Sequence, residues 1–179
     1  MNTPYLLAAL VVAAAMAALR MMGRVWGEPR AWTWDANGSS TSQRLGDPYT
    51  FSHVIHGIIF YAMLAPFPGL SLGAKLLISV VLECAWEVAE NTPAVINRYR
   101  TETVSLGYTG DSVLNSFGDV ASMVAGFFMA RALPWQASVG LTLVIELAML
   151  AIMRDNLTLN VLQLVAPNKR IKAWQQRSA

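Results

Sequence analysis

Apolar residues gather in five long stretches separated by shorter polar segments. They cover about residues 5–22, 53–70, 74–90, 112–132 and 134–153, each close to the ~20 residues a helix needs to cross hydrocarbon. The first and fifth are the cleanest. The second carries Pro66 and Pro68 near one end, and the third and fourth contain carboxylates. The pattern predicts an all-α integral membrane helical bundle of about five transmembrane helices. It forms a single membrane domain over residues 1–179, with a basic tail from 154 onwards.

Composition sharpens that reading. Of 179 residues, 55% are hydrophobic and only 13% charged, about half the share usual in soluble domains. The mean hydropathy is +0.42. So few charges do not cover a water-soluble surface, and no basic run is dense enough to track nucleic-acid phosphates. The single cysteine, Cys84, excludes an intramolecular disulfide and a cysteine-based metal site. The Ala13–Ala18 stretch resembles a cleavable signal. A secretory signal carries its positive charge ahead of the apolar core, however, whereas here Arg20 and Arg24 follow it. A retained anchor is the expectation.

The thirteen Lys and Arg residues fall unevenly between the two sides of a five-span bundle. Lys75 and Arg131 share the side of the N-terminus. The other eleven lie on the opposite side, in the loops at 23–52 and 92–110 and in the tail, or next to them. The positive-inside rule then expects a bacterial inner (plasma) membrane protein with its N-terminus periplasmic and its C-terminus cytoplasmic. Trp26, Trp32, Trp34 and Trp135 read as interfacial anchors, and residues 27–41 as an exposed turn. The segment from Arg154 to Ala166 reads as amphipathic. With Lys169, Arg170 and Lys172 behind it, it suits a rest on anionic lipid.

Polar residues inside the apolar stretches carry the candidate chemistry. Glu83, Glu87 and Glu90 follow i, i+4, i+7 spacing and share one face of the third helix. Asp111, Asn115 and Asp119 repeat every four residues at the start of the fourth. His53 and His56 lie a turn apart at the mouth of the second, and Glu146 stands alone in the fifth. An ionised carboxylate in hydrocarbon costs at least ~2.5 kcal/mol, so such residues face one another or water. At ~1.5 Å per residue they reach a common depth, which predicts a polar pocket in the cytoplasmic half of the bundle. Arg98 and Arg100 are the nearby bases available to fold back as partners.

These residues also carry a resemblance. The string Asp47-Pro-Tyr-Thr-Phe-Ser-His53-Val-Ile-His56-Gly57 resembles the signature of an uncharacterised family of multi-pass bacterial inner-membrane proteins known under a provisional unknown-function name. So do Glu83-Cys-Ala-Trp86-Glu87-Val-Ala-Glu90-Asn91, Tyr99-Arg100-Thr, Tyr108-Thr-Gly110-Asp111-Ser-Val-Leu-Asn115-Ser, Arg154-Asp155-Asn156-Leu-Thr-Leu-Asn160 and Ile171-Lys-Ala-Trp174-Gln. Pro48 departs from the tryptophan expected there. The resemblance implies a plasma-membrane location and supplies no reaction. More distantly, Asp111-x-x-x-Asn115 after a Glu-rich helix looks like the VanZ-like membrane proteins; no residue roles are carried across.

Three functional classes fit the pocket. In the first, His53, His56, Glu83 and Glu87 hold a divalent metal, and Glu87, Glu90, Asp111 and Asp119 supply acid–base chemistry on a lipid or lipid-linked substrate. In the second, coupled carboxylates serve a proton- or cation-handling transporter or regulator. In the third, the polar groups lock helices together within a non-catalytic membrane-complex subunit or assembly factor, which implies a membrane-protein partner. No serine–histidine nucleophile, phosphate loop or cofactor motif is visible. The expected surroundings are the lipid bilayer, without nucleic acid.

Overall fold

The computed structural model describes residues 3–177, which form eight helices. They are α1 (Thr3–Met21), α2 (Thr50–Leu64), α3 (Leu72–Glu90), α4 (Pro93–Glu102), α5 (Val113–Ala132), α6 (Trp135–Met153), α7 (Leu157–Val165) and α8 (Lys169–Gln176). Local chemistry fixes the ends. Ser71 Oγ accepts from the Ala74 amide at the start of α3, and Ser112 Oγ accepts from that of Asn115 at the start of α5. Asn156 and Asn168 side chains do the same for α7 and α8.

Three helices are long and apolar enough to cross a membrane: α1, α5 and α6. The other two expected spans differ from them for physical reasons. Helix α2 starts at Thr50 and stops at Leu64, ahead of Pro66 and Pro68, so it has 15 residues rather than the 18 of the apolar run. Helix α3 has the length but carries Lys75, Glu83, Glu87 and Glu90. Glu83 and Glu87 are buried within the bundle, so the charge of α3 is turned away from its outer face.

Helix α2 lies against α5 along most of its length, and α1 lies against α3. The crossing of α2 and α5 is close because both helices offer glycine there. A Cβ on Gly57 would fall on the Met123 carbonyl oxygen and within 2.5 Å of the Phe127 amide nitrogen, and a Cβ on Gly126 would fall on the Val54 carbonyl oxygen. Small residues let helix backbones approach in this way. Ala8, Ala15, Leu76, Val80, Cys84, Val120, Met123 and Phe127 form the buried apolar core where α1, α3 and α5 meet. Helix α6 stands apart, with Leu143, Val144, Leu147 and Ile152 exposed.

The polar segments are more ordered than the sequence suggests. Residues 27–41, expected as an exposed turn, do carry one, and the residues on either side of it fold over the start of α5 as a strap. Within it, Arg44 Nε pairs with Glu28 at 2.8 Å, and Ser40 donates to the same carboxylate. The Arg44 guanidinium and the Ser40 hydroxyl hold the Glu28 carboxyl below its ordinary range. The amides of Ser112, Val113 and Leu114 donate to the carbonyls of Ser42, Val25 and Trp26. Those are amide groups that a helix start leaves without intrahelical partners. The segment 92–110 contains α4, and the tail folds as α7 and α8. Trp26, Trp34 and Trp135 are exposed, while Trp32 stacks edge-on against Trp34 and Phe51.

Candidate metal centre and its cavity

The first turns of α2 deliver His53 and His56, the last turns of α3 deliver Glu83 and Glu87, and the second turn of α5 delivers Asp119. His53 Nδ1 lies 2.5 Å from Glu83 Oε1, and His56 Nδ1 lies 3.1 Å from Glu83 Oε2. On the other side of its ring, His53 Nε2 lies 3.9 Å from Asp119 Oδ2, and Glu87 Oε1 is 3.6 Å from His53 Nδ1. Thr50 Oγ1 donates to Asp119 Oδ1 at 3.2 Å. Glu83, Glu87 and Asp119 are buried, and neither oxygen of Glu87 has a hydrogen-bond partner among the described residues.

The expected ligand set of His53, His56, Glu83 and Glu87 therefore divides into two groups that share His53. One is His53, His56 and Glu83; the other is His53, Glu87 and Asp119, each with its ligand atoms within 4.8 Å of one another. The two are chemically unequal. Glu83 already bonds both imidazoles, whereas Glu87 is unpartnered. A carboxylate on one ring nitrogen of a histidine orients the other toward a metal, and Glu83 stands in that relation to His53. The donors His53, Glu87 and Asp119 thus suit a divalent cation, with Glu83 as the orienting group. Asp119 enters as a candidate ligand, and its signal was the four-residue repeat it shares with Asp111 and Asn115.

Glu90 and Asp111, expected at the same level, have different surroundings. Asp111 Oδ2 accepts from Tyr108 at 2.6 Å and from Asn91 Nδ2 at 3.0 Å, and its amide donates to Asn91 Oδ1. Glu90 lies beside Tyr99. Burial first, and then the neighbouring carboxylates, hold both tyrosine hydroxyls well above their ordinary pKa, so they act as donors. Both acids line one large cavity of about 1430 Å³ together with His53, His56, Asn115 and Asp119. Asp47 adjoins it, held by the amides of Ser42 and Tyr49, and burial raises its carboxyl above the ordinary range. The far wall is apolar: Val144, Ile145, Ala148, Met149 and Ile152 of α6.

Three candidates for the site or its counter-ions lie elsewhere. Glu146 accepts from the amides of Leu157 and Thr158 and from the Thr158 hydroxyl, so it closes the start of α7. Its depth along α6 was right for the pocket, but its rotation about the helix axis turns it to the tail. Arg98 donates to the Leu164 carbonyl at 2.9 Å, and among the described residues neither Arg98 nor Arg100 forms an ion pair with the glutamates. Sequence reasoning gave no role to Asp155, which accepts from Tyr49 and Gln175 and ties the tail to the start of α2. Burial raises its carboxyl above the ordinary range.

Comparison with known proteins agrees with the sequence resemblance at the level of the family. A family described as "Protein of unknown function (DUF2585)" matches residues 18–177. A UPF0314 protein of Sinorhizobium fredii is 48% identical over 170 residues, covering 92% of this chain and 86% of its own. One from Rhizobium meliloti is 48% identical over 177 residues, covering 96% and 90%. One from Sphingopyxis alaskensis is 45% identical over 179 residues, covering 97% and 95%. No solved structure matches. Similarity of this extent, running through every segment that builds the cluster and the cavity, places the chain in the DUF2585 (UPF0314) family.

Proposed function

We propose that this protein is an integral membrane enzyme that hydrolyses or transfers an ester of a lipid or lipid-linked substrate at a divalent cation held by His53, Glu87 and Asp119. Helices α1, α2, α3, α5 and α6 cross the bacterial inner membrane, with the N-terminus periplasmic and the cavity open toward the cytoplasm. Eleven of the thirteen basic residues fall on that inner side, which supports this orientation. The observation that carries the chemistry is Glu87: a buried carboxylate with both oxygens unpartnered, beside His53 and Asp119. Leaving a charge so placed without a counter-ion is costly, and a cation supplies one.

A bound cation would polarise the ester and make a water molecule nucleophilic near neutral pH. Glu83 holds the His53 ring in place. Asp111, clamped by Tyr108 and Asn91 at the cavity wall, accepts the proton of the attacking water and returns it to the departing ester oxygen.

Elemental analysis of the purified protein tests the reading. The wild type should carry about one equivalent of divalent metal. His53→Ala and Glu87→Gln should lose it while still folding, because a neutral side chain lowers the membrane cost. A metal-free wild type overturns the proposal. So does a Glu87→Gln protein with full metal and full function beside a misfolded Glu87→Leu, which assigns Glu87 to helix packing. The 2.5 Å contact between His53 and Glu83 favours one alternative, proton handling. Under it, Glu87→Gln abolishes function in a wild type that never held metal.

A further inference from the structure

The cavity is larger than the ~300–1,000 Å³ usual for drug-sized ligands, and its two ends differ in chemistry. One wall is formed by α6, with Val144, Ala148 and Ile152 spaced at i, i+4 and i+8 and Val144 and Ile152 themselves exposed. The opposite face of α6 exposes Leu143 and Leu147. A helix apolar on both faces, touching α2 and α5 only sparsely, stands between the cavity and the surrounding hydrocarbon. An acyl chain arriving from the side would enter through the sparsely packed seam beside it. Along it, Ser52 Oγ makes a 3.9 Å contact with Met149 Sδ, and at its end the Tyr49 hydroxyl donates to Asp155.

The other end is acidic and aromatic. Asp35, Asp47, Glu90, Asp111 and Asp119 line the cavity, and Arg154 is the one Lys or Arg among its lining residues. Glu83 and the unpartnered Glu87 add two carboxylates just behind His53. A divalent cation at Glu87 and Asp119 leaves Glu90 and Asp111 without a cationic partner among the described residues. Glu90 makes no hydrogen bond to a charged partner there, and Trp86 and Tyr99 lie beside it on the cavity lining. Carboxylates with aromatic rings form the recognition chemistry of an organic ammonium group.

We infer that the substrate is a bilayer lipid with an ammonium-bearing head group, its chain lying along α6 and its ammonium at Glu90 between Trp86 and Tyr99. The inference rests on the proposed function for the place of the reacting ester. The ammonium subsite itself is independent of the metal, since Glu90 belongs to neither ligand group.

The test uses full-length protein in nanodiscs of neutral lipid, titrated with phosphatidylethanolamine or phosphatidylglycerol, which share a phosphodiester and differ in the ammonium. Bound lipid is read by native mass spectrometry and metal by elemental analysis of the same preparations. Phosphatidylethanolamine should bind at least roughly tenfold more tightly, the worth of about one charge-assisted hydrogen bond. Glu90→Gln should erase that preference with metal content unchanged, and Ala148→Trp should weaken both lipids by filling the apolar wall. Equal binding of the two lipids, or a preference that survives Glu90→Gln, overturns the inference even where metal is present. A preference abolished by Glu90→Gln in protein without metal supports the lipid site while overturning the metal reading.

Discussion

Gly57→Ala is the smallest change that probes the crossing on which the cluster depends. The new Cβ would meet backbone only: the Met123 carbonyl oxygen, the Phe127 nitrogen at 2.5 Å and the Gly126 carbonyl carbon at 2.9 Å. No side chain can rotate aside, so α2 and α5 must separate. Bringing the Phe127 contact alone out to an ordinary ~3.5 Å requires about 1 Å of movement, and the nearer Met123 oxygen requires more. Overpacking of this kind costs ~1–3 kcal/mol, and the upper end applies where backbone is the obstacle. The same movement strains the 3.2 Å bond from Thr50 to Asp119 and widens the 3.9 Å gap between His53 and Asp119. Gly57→Ala should therefore unfold ~2–3 kcal/mol more easily in detergent, followed by circular dichroism against denaturant. The control is Gly140→Ala on α6, whose Cβ meets nothing within 4 Å; it should be neutral or slightly stabilising, since alanine is the better helix former. Equal stability of the two variants refutes the close crossing.

Glu146→Ala should loosen α7 by about 1 kcal/mol, seen as roughly fivefold faster amide exchange across Leu157–Val165 with global stability nearly unchanged. Asp155 has its folded pKa raised by burial, so its contribution to stability is fully present below the unfolded carboxyl value of about 4 and declines as pH rises through the folded value. Asp155→Asn should flatten that decline in melting curves taken from pH 4 upward; an unchanged pH profile refutes the assignment. A reporter active only in the cytoplasm should work when fused to the C-terminus and fail at the N-terminus; the opposite result defeats the orientation.

Much of this molecule is legible in its sequence because membrane-type helices announce themselves by length and period. The alignment of Glu83 with Glu87 needed only the 3.6-residue turn, and the proximity of both to His53 followed from the cost of burying them alone. What failed needed rotation rather than depth. Glu146 has the right height on α6, yet no periodicity says which way a nearly uniform apolar helix is turned. Arg98 and Arg100 looked like counter-ions because they were close in sequence, but α4 points Arg98 at the Leu164 carbonyl instead. The strap over α5 was invisible for a different reason. Its bonds run through backbone carbonyls, which every residue has, so no residue type marks them. The end of α2 was readable: Pro66 and Pro68 were noted, and their weight as terminators exceeded that of the apolar run around them.

The strap also sets an order of assembly. The partners it joins are far apart in the chain: Arg24 to Thr109, Gln43 to Gly110 and Arg44 to Asn115 are separated by 85, 67 and 71 positions. During synthesis the strap emerges long before α5 exists, and by then α2 and α3 have already left the ribosome. Its carbonyls stay hydrated until the later helix arrives, and only then does Asp111 reach the same wall as His53. The acidic end of the cavity is therefore completed late, when Asp111 and Asp119 join the carboxylates already delivered by the strap and α3. Until α5 is in place, His53 and Glu87 stand without Asp119, so the third donor of that group joins last.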